Sequence, residues 1–153
     1  MPTYSHTQRA PMCLILYAAA LGCFVLAYVT FGTPGFYIVL TIGSIIGILA
    51  PAFHYLTVED EGDALGIRFG PVPLFRTRAR YDDIQSVEVG RTLLLDGWGI
   101  RYSLRGGWVW NIWGRDCVVV RKKKGTLYIG TNDAETLARF LEEKLAESCG
   151  KTH

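Results

Sequence analysis

The chain has 153 residues, half of them hydrophobic, with 16 Lys and Arg against 14 Asp and Glu and a formal net charge of +2. Every acidic residue follows position 53, and setting Arg9 aside leaves fifteen basic residues beside those fourteen, a balance that argues against nucleic acid as a partner. The stretch after position 53 is long enough for one small domain and not for two.

Residues 1–11 read as an N-terminal tail. Two apolar runs follow, 12–31 and 36–53, neither containing Asp, Glu, Lys, Arg or His. At 1.5 Å per residue each spans a hydrocarbon core of about 30 Å. Backbone in lipid must satisfy its own hydrogen bonds, so both runs are expected to be helices of a transmembrane hairpin, 12–53. A signal peptide would show a shorter apolar core, more positive charge before it and a small-residue cleavage site. Helices of a soluble core would show a polar stripe, and neither run does. Gly32-Thr33-Pro34-Gly35 reverses the chain. Phe31, Phe36 and Tyr37 then fall at one interface, with Phe53 and Tyr55 at the other.

Gly43 and Gly47 form a small-xxx-small motif on the second run, and Ala18 and Gly22 offer a matching patch on the first. Such patches permit close helix packing, within the hairpin or between copies. Two spans without an ionisable residue offer no relay for transport.

From Tyr55 the apolar period becomes two. Strands are expected at 55–59, 65–69, 75–81, 84–91, 99–105, 117–121 and 126–130, with 108–113 extending one of them. Leu137, Leu141 and Leu145 then recur every four residues. An amphipathic helix is expected over 133–148, with Asn132 as its N-cap and Glu135 as the reciprocal partner. The domain therefore runs over 55–148, with a short tail at 149–153. The fold class is α+β: a two-helix transmembrane hairpin, then about seven antiparallel strands and a C-terminal helix.

This layout, with Asp63-Ala64-Leu65-Gly66-Ile67-Arg68-Phe69-Gly70-Pro71, Tyr81-Asp82-Asp83-Ile84-Gln85-Ser86-Val87, Gly97-Trp98-Gly99-Ile100-Arg101, Trp113-Gly114-Arg115-Asp116-Cys117-Val118 and Ile129-Gly130-Thr131-Asn132-Asp133-Ala134-Glu135, resembles the bacterial pleckstrin-homology-like domain membrane proteins. The resemblance covers about residues 55–147. It implies a curved, nearly closed seven-stranded sheet capped by the helix, no catalytic residues, and a role as a binding platform. Function does not follow from the fold itself.

Two features stand out as candidate binding surfaces. Arg76, Arg78 and Arg80 alternate on one strand face, either as a ladder for anionic lipid or as a solvated exterior. All four tryptophans lie within residues 98–113. Trp108 and Trp110, flanked by Arg105 and Arg115, could rest at a bilayer interface or form a protein hot spot. Trp98 and Trp113 are expected in the core. Lys122-Lys123-Lys124 reads as a solvated hairpin tip.

His6, His54 and His153 are scattered, and no metal spacing, nucleophile elbow, phosphate loop or paired carboxylates appear. No enzymatic activity and no cofactor are therefore expected. Cys13, Cys23, Cys117 and Cys149 lack metal-like spacing and read as free thiols. With Arg9 before the first span and no glycosylation sequon, they point to the inner membrane of a cell with both ends cytoplasmic. The expected partner is a protein or a second copy of the chain, with anionic lipid as the alternative.

Overall fold

The computed structural model describes residues 3–71, 74–92 and 99–150. The apolar runs form α1 (Met12–Val29) and α2 (Pro34–Leu49), and a 3-10 turn over Ala50–Phe53 prolongs α2. Each is long and apolar enough to cross a membrane. Pro34 opens α2, where its fixed φ suits the helix and its missing N–H leaves no bond unmade. Gly32, at φ +84°, supplies the left-handed residue of the reversal, and Thr33 Oγ1 donates to the Thr30 carbonyl at 2.7 Å. Leu14, Leu21, Val25, Ile38 and Ile48 are all exposed around the pair. Core helices of a water-soluble protein bury such side chains.

The segment expected as a tail contains a strand. β1 (Ser5–Arg9) lies antiparallel to β2 (Tyr55–Asp60), with Ser5 opposite Glu59 and Arg9 opposite Tyr55. Thr7 and Thr57 join through their hydroxyls at 2.9 Å. The helical hairpin is thus spliced between two neighbouring strands, in the place a β-turn would take. Its polar residues hid β1: only Gln8 among them is buried, so no apolar alternation marks the segment.

β2 continues into β3 (Ala64–Phe69) and β4 (Arg76–Arg80), giving an antiparallel sheet in the order β1-β2-β3-β4. A 3-10 turn over Tyr81–Asp83 leads to β5 (Ile84–Arg91). The remaining strands are β6 (Gly99–Tyr102), β7 (Trp108–Asn111), β8 (Asp116–Lys122) and β9 (Thr126–Gly130). They form a second sheet in the order β5-β8-β9-β7-β6.

The expected nearly closed barrel of seven antiparallel strands is therefore replaced, among the described residues, by nine strands in two sheets that do not close. Segment 108–113 does not extend a neighbour but supplies β7, and β7 pairs with β9 in parallel. Strand β8 turns back from β7 after only residues 112–115, and β9 turns back again along β8, so β9 runs the same way as β7 where the two meet.

Leu65, Ile67 and Phe69 from the first sheet meet Trp110, Val118 and Ile129 from the second in one core. Helix α3 (Ala134–Gly150) covers it with Leu137 and Leu141, both fully buried. Asn132 is not its cap: the side chain pairs with His6 Nε2 at 2.7 Å, and the helix begins after Asp133. Trp98 and residues 151–153 lie outside the described residues.

Candidate functional site

The arginine ladder is on the surface, as its alternation requires, but it is not free. Arg78 Nε lies 2.6 Å and Arg76 3.6 Å from the Glu61 carboxylate, and Arg80 lies 3.3 Å from Asp82. The neighbouring Arg68 pairs with Glu59 at 3.1 Å. Gly66 makes the arrangement possible. It sits opposite Arg78 in register, and a Cβ there would collide with the Glu61 side chain that lies across it. The basic face is largely neutralised by its own carboxylates, which weakens its pull on anionic lipid.

The tryptophans separate. Trp110 is only 8% exposed and packs on Phe69, with ring centroids 5.6 Å apart, so it belongs to the core and not to a binding surface. Trp113 is partly buried against the same core. Trp108 is exposed, and its ring meets Tyr102 edge-on at 5.8 Å. Arg105 and Arg115 do not converge: Arg105 precedes β7 and Arg115 follows it, at opposite ends of the strand.

A feature missed in the sequence is the apolar character of the hairpin around Arg105. Leu74, Tyr102, Leu104 and Trp108 are exposed by 57%, 65%, 81% and 54% respectively. The signal was available, since 99–105 continues its apolar alternation beyond the last paired residue, Tyr102.

The small residues of the helical pair sort unequally. A Cβ on Gly43 would come within 2.8 Å of Cys23 Cβ, and one on Gly47 would touch Ala20. Ala20 and Ala27 are the buried residues of α1, while Ala18 and Gly22 face outward. The close-packed seam is therefore Ala20 and Cys23 against Gly43 and Gly47, with Ala27 buried further along α1.

At the other edge of the second sheet, β5 pairs with β8 on one side and, among the described residues, with no strand on the other. A groove of about 550 Å³ runs between its end and the start of α3. Val89, Gly90 and Arg91 line one side and Glu135 and Thr136 the other, with Arg91 held to Asp116 at 3.1 Å. Val89 is exposed there.

Beneath α3, Asp60 accepts hydrogen bonds from Tyr81 Oη and the Gly62 N–H, both at 2.8 Å, and lies 3.4 Å from Lys144 Nζ. Burial acts to raise the Asp60 carboxyl. The Gly62 N–H, the Tyr81 hydroxyl and the Lys144 ammonium together outweigh it, so its pKa falls below the ordinary carboxylate value. Burial first, then the Asp60 carboxylate, push the Tyr81 hydroxyl well above its usual range. The ammonium also lies over the Tyr81 and Phe140 rings at 5.8 and 5.5 Å. This cluster clamps α3 to β2.

Among the described residues no group of His, Cys, Asp or Glu is placed to hold a metal ion. A scan against protein-family models found no match to the chain, and a search of curated proteins found none similar to it.

Proposed function

We propose that the chain is a non-enzymatic binding module of the pleckstrin-homology-like type, carried by two membrane spans and facing the cytoplasm from the inner membrane. The observation that carries this reading is the splice. Helices α1 and α2 leave and re-enter the first sheet through adjacent strands, with only Ala10-Pro11 and His54 between the last rung and the helical segments. A module so attached is held close above the bilayer, and tethering lets weak contacts suffice.

The partner is a protein that lays an extended segment along β5. An edge strand offers unpaired N–H and C=O groups, and the groove beside α3 receives side chains. Asp116, Asp133 and Glu135 outnumber Arg91 around that groove, which favours a basic segment. Direct recognition of anionic lipid by Arg76, Arg78 and Arg80 loses support because Glu61 and Asp82 already occupy them.

A photo-crosslinking residue in place of Val89, in the full chain in its native membrane, tests the reading. A discrete adduct with a second protein at position 89, absent when the probe replaces Arg78, is expected. Equal labelling at both positions, or none at either, overturns it.

A further inference from the structure

The second sheet stands in a defined order relative to the helical hairpin. His6, midway along β1, pairs with Asn132, just beyond β9. Two residues on, Gln8 Nε2 donates to the carbonyl of Trp113, just beyond β7, at 3.0 Å. Further still, Met12 at the start of α1 lies beside Gly99, the first residue of β6, with its methyl 3.8 Å from where a Cβ would stand. Travelling from β1 towards α1, the chain therefore passes the ends of β9, β7 and β6 in turn. Strand β6, one edge of that sheet among the described residues, is the one closest to the helices.

The same edge is reached from α2. Ile100 of β6 pairs with Trp110, Trp110 packs on Phe69, and Phe69 packs on Phe53 with centroids 5.4 Å apart. Tyr102 and Trp108 lie on the same hairpin face as Ile100 and Trp110, two residues along each strand. Trp110 fills the core with Ile100 packed against it, while the rings of Tyr102 and Trp108 overhang it.

Among the described residues, five large apolar side chains after the helical hairpin are exposed: Leu74, Val89, Tyr102, Leu104 and Trp108. Three of them, Tyr102, Leu104 and Trp108, belong to this one hairpin, and Leu74 precedes Phe75, whose ring lies 5.7 Å from Phe53. The charge is one-sided as well. Residues 97–115 contain Arg101, Arg105 and Arg115 and no acidic residue. Arg101 and Arg105 are exposed and form no ion pair among the described residues, unlike the arginines of β4.

We infer that this overhang is a second membrane contact, with Tyr102, Leu104 and Trp108 seated in the headgroup layer and Arg101 and Arg105 on phospholipid phosphates. The inference rests on the reading that α1 and α2 cross the bilayer. Aromatic rings with one polar edge favour that layer, and basic residues beside it are drawn to anionic lipid. A hairpin resting there fixes the rotation of the module about the hairpin axis, which the two spans alone leave to the short junctions.

The test uses the full chain in nanodiscs of phosphatidylcholine and phosphatidylglycerol bearing brominated acyl chains. The fluorescence lost on changing Trp108→Phe isolates the signal of Trp108. That signal is expected to be quenched by bromolipid several-fold more than by aqueous iodide. A Trp108 signal quenched by iodide and untouched by bromolipid overturns the inference. A second variant, Leu104→Trp in the Trp108→Phe background, reports the same location without relying on the native ring. Flotation with liposomes after alkaline extraction separates the premise. A chain that floats while both reporters stay lipid-free sinks the hairpin contact alone, and a chain that does not float sinks the spans and the contact together.

Discussion

Arg9 stands opposite Tyr55 as the last rung between β1 and β2, and the helical hairpin departs from one and returns to the other. The junction is stiffened on every side. Tyr17 Oη lies 3.4 Å from His54 Nε2, and the Gly70 N–H donates to the Tyr55 carbonyl at 2.7 Å. Gly70, at φ +62°, comes so near the backbone of Ala52 that a Cβ has no room. The attachment thus works as a coupling, through which the sheet and the helices hold one another's direction.

Gly70→Ala should therefore strike the coupling directly. A side chain at positive φ costs about 1–3 kcal/mol, before any clash with Ala52 is added. Thermal unfolding of the full chain in nanodiscs should show the loss, and an unchanged midpoint would mean the junction is slack.

Four-residue Gly/Ser inserts after Ala10 and after His54 should behave differently. Lengthening a closed loop costs little, since a doubling adds only about 0.6 kcal/mol. The fold should persist by near-ultraviolet circular dichroism, while quenching of Trp108 by bromolipid falls. Quenching that survives the inserts would show that the overhang finds lipid without help from the junction.

Within the helical pair, Gly43 and Gly22 make opposite predictions despite identical chemistry. Gly43→Val forces its side chain against Cys23 and should cost about 1–3 kcal/mol through overpacking. Gly22 has nothing within contact of a new Cβ, so Gly22→Val should leave the unfolding temperature of the reconstituted chain unchanged. Equal effects would place the seam elsewhere.

These contrasts mark what periodicity conveys. The helices were legible because an uncharged apolar run needs no partner to be recognised, and α3 because Leu137 and Leu141 repeat with its turn. Strand β1 was not, since its identity depends on β2, beyond the whole hairpin. The parallel β7–β9 pair was hidden for the same reason: alternation reports which side of a strand is apolar, never which strand lies beside it. The site followed suit. The spacing of Arg76, Arg78 and Arg80 placed them on one exposed face, but Glu61 is brought to them by a turn and by the bare backbone of Gly66. Trp108 and Trp110 shared a face as their spacing demands, and the depth of the core beneath each separated them.

Removing the Glu61 carboxylate should expose the ladder's charge. Glu61→Gln leaves Arg76 and Arg78 without their shared partner, and near a membrane each freed arginine contributes up to about 1 kcal/mol of attraction to anionic lipid. Neutral proteoliposomes carrying the variant should be clustered by added phosphatidylglycerol vesicles more readily than the parent, as read by light scattering. The triple change of Arg76, Arg78 and Arg80 to Gln in the parent should alter clustering little. A large loss from the triple change would restore the ladder as a lipid site.

Acid should reach the module through Asp60. Its folded-state pKa lies below the unfolded carboxylate value of about 3.9, so its contribution to stability is present above that value. The contribution declines as pH falls from there through the folded pKa, where the folded carboxylate takes up its proton. Asp60→Asn removes this dependence and strands the Lys144 ammonium, whose side chain is only 12% exposed. Breaking one side of such a pair costs about 3–5 kcal/mol near neutral pH. Adding Lys144→Met should recover much of that loss, because the long apolar stem still packs on Phe140 while the charge is gone. The parent's advantage over Asp60→Asn should accordingly be full at pH 6 and shrink below about pH 4. Unfolding midpoints of the three chains, measured across that range in the same nanodiscs, decide the matter: a gap between parent and Asp60→Asn that does not narrow in acid would mean the carboxylate acts by shape and not by charge.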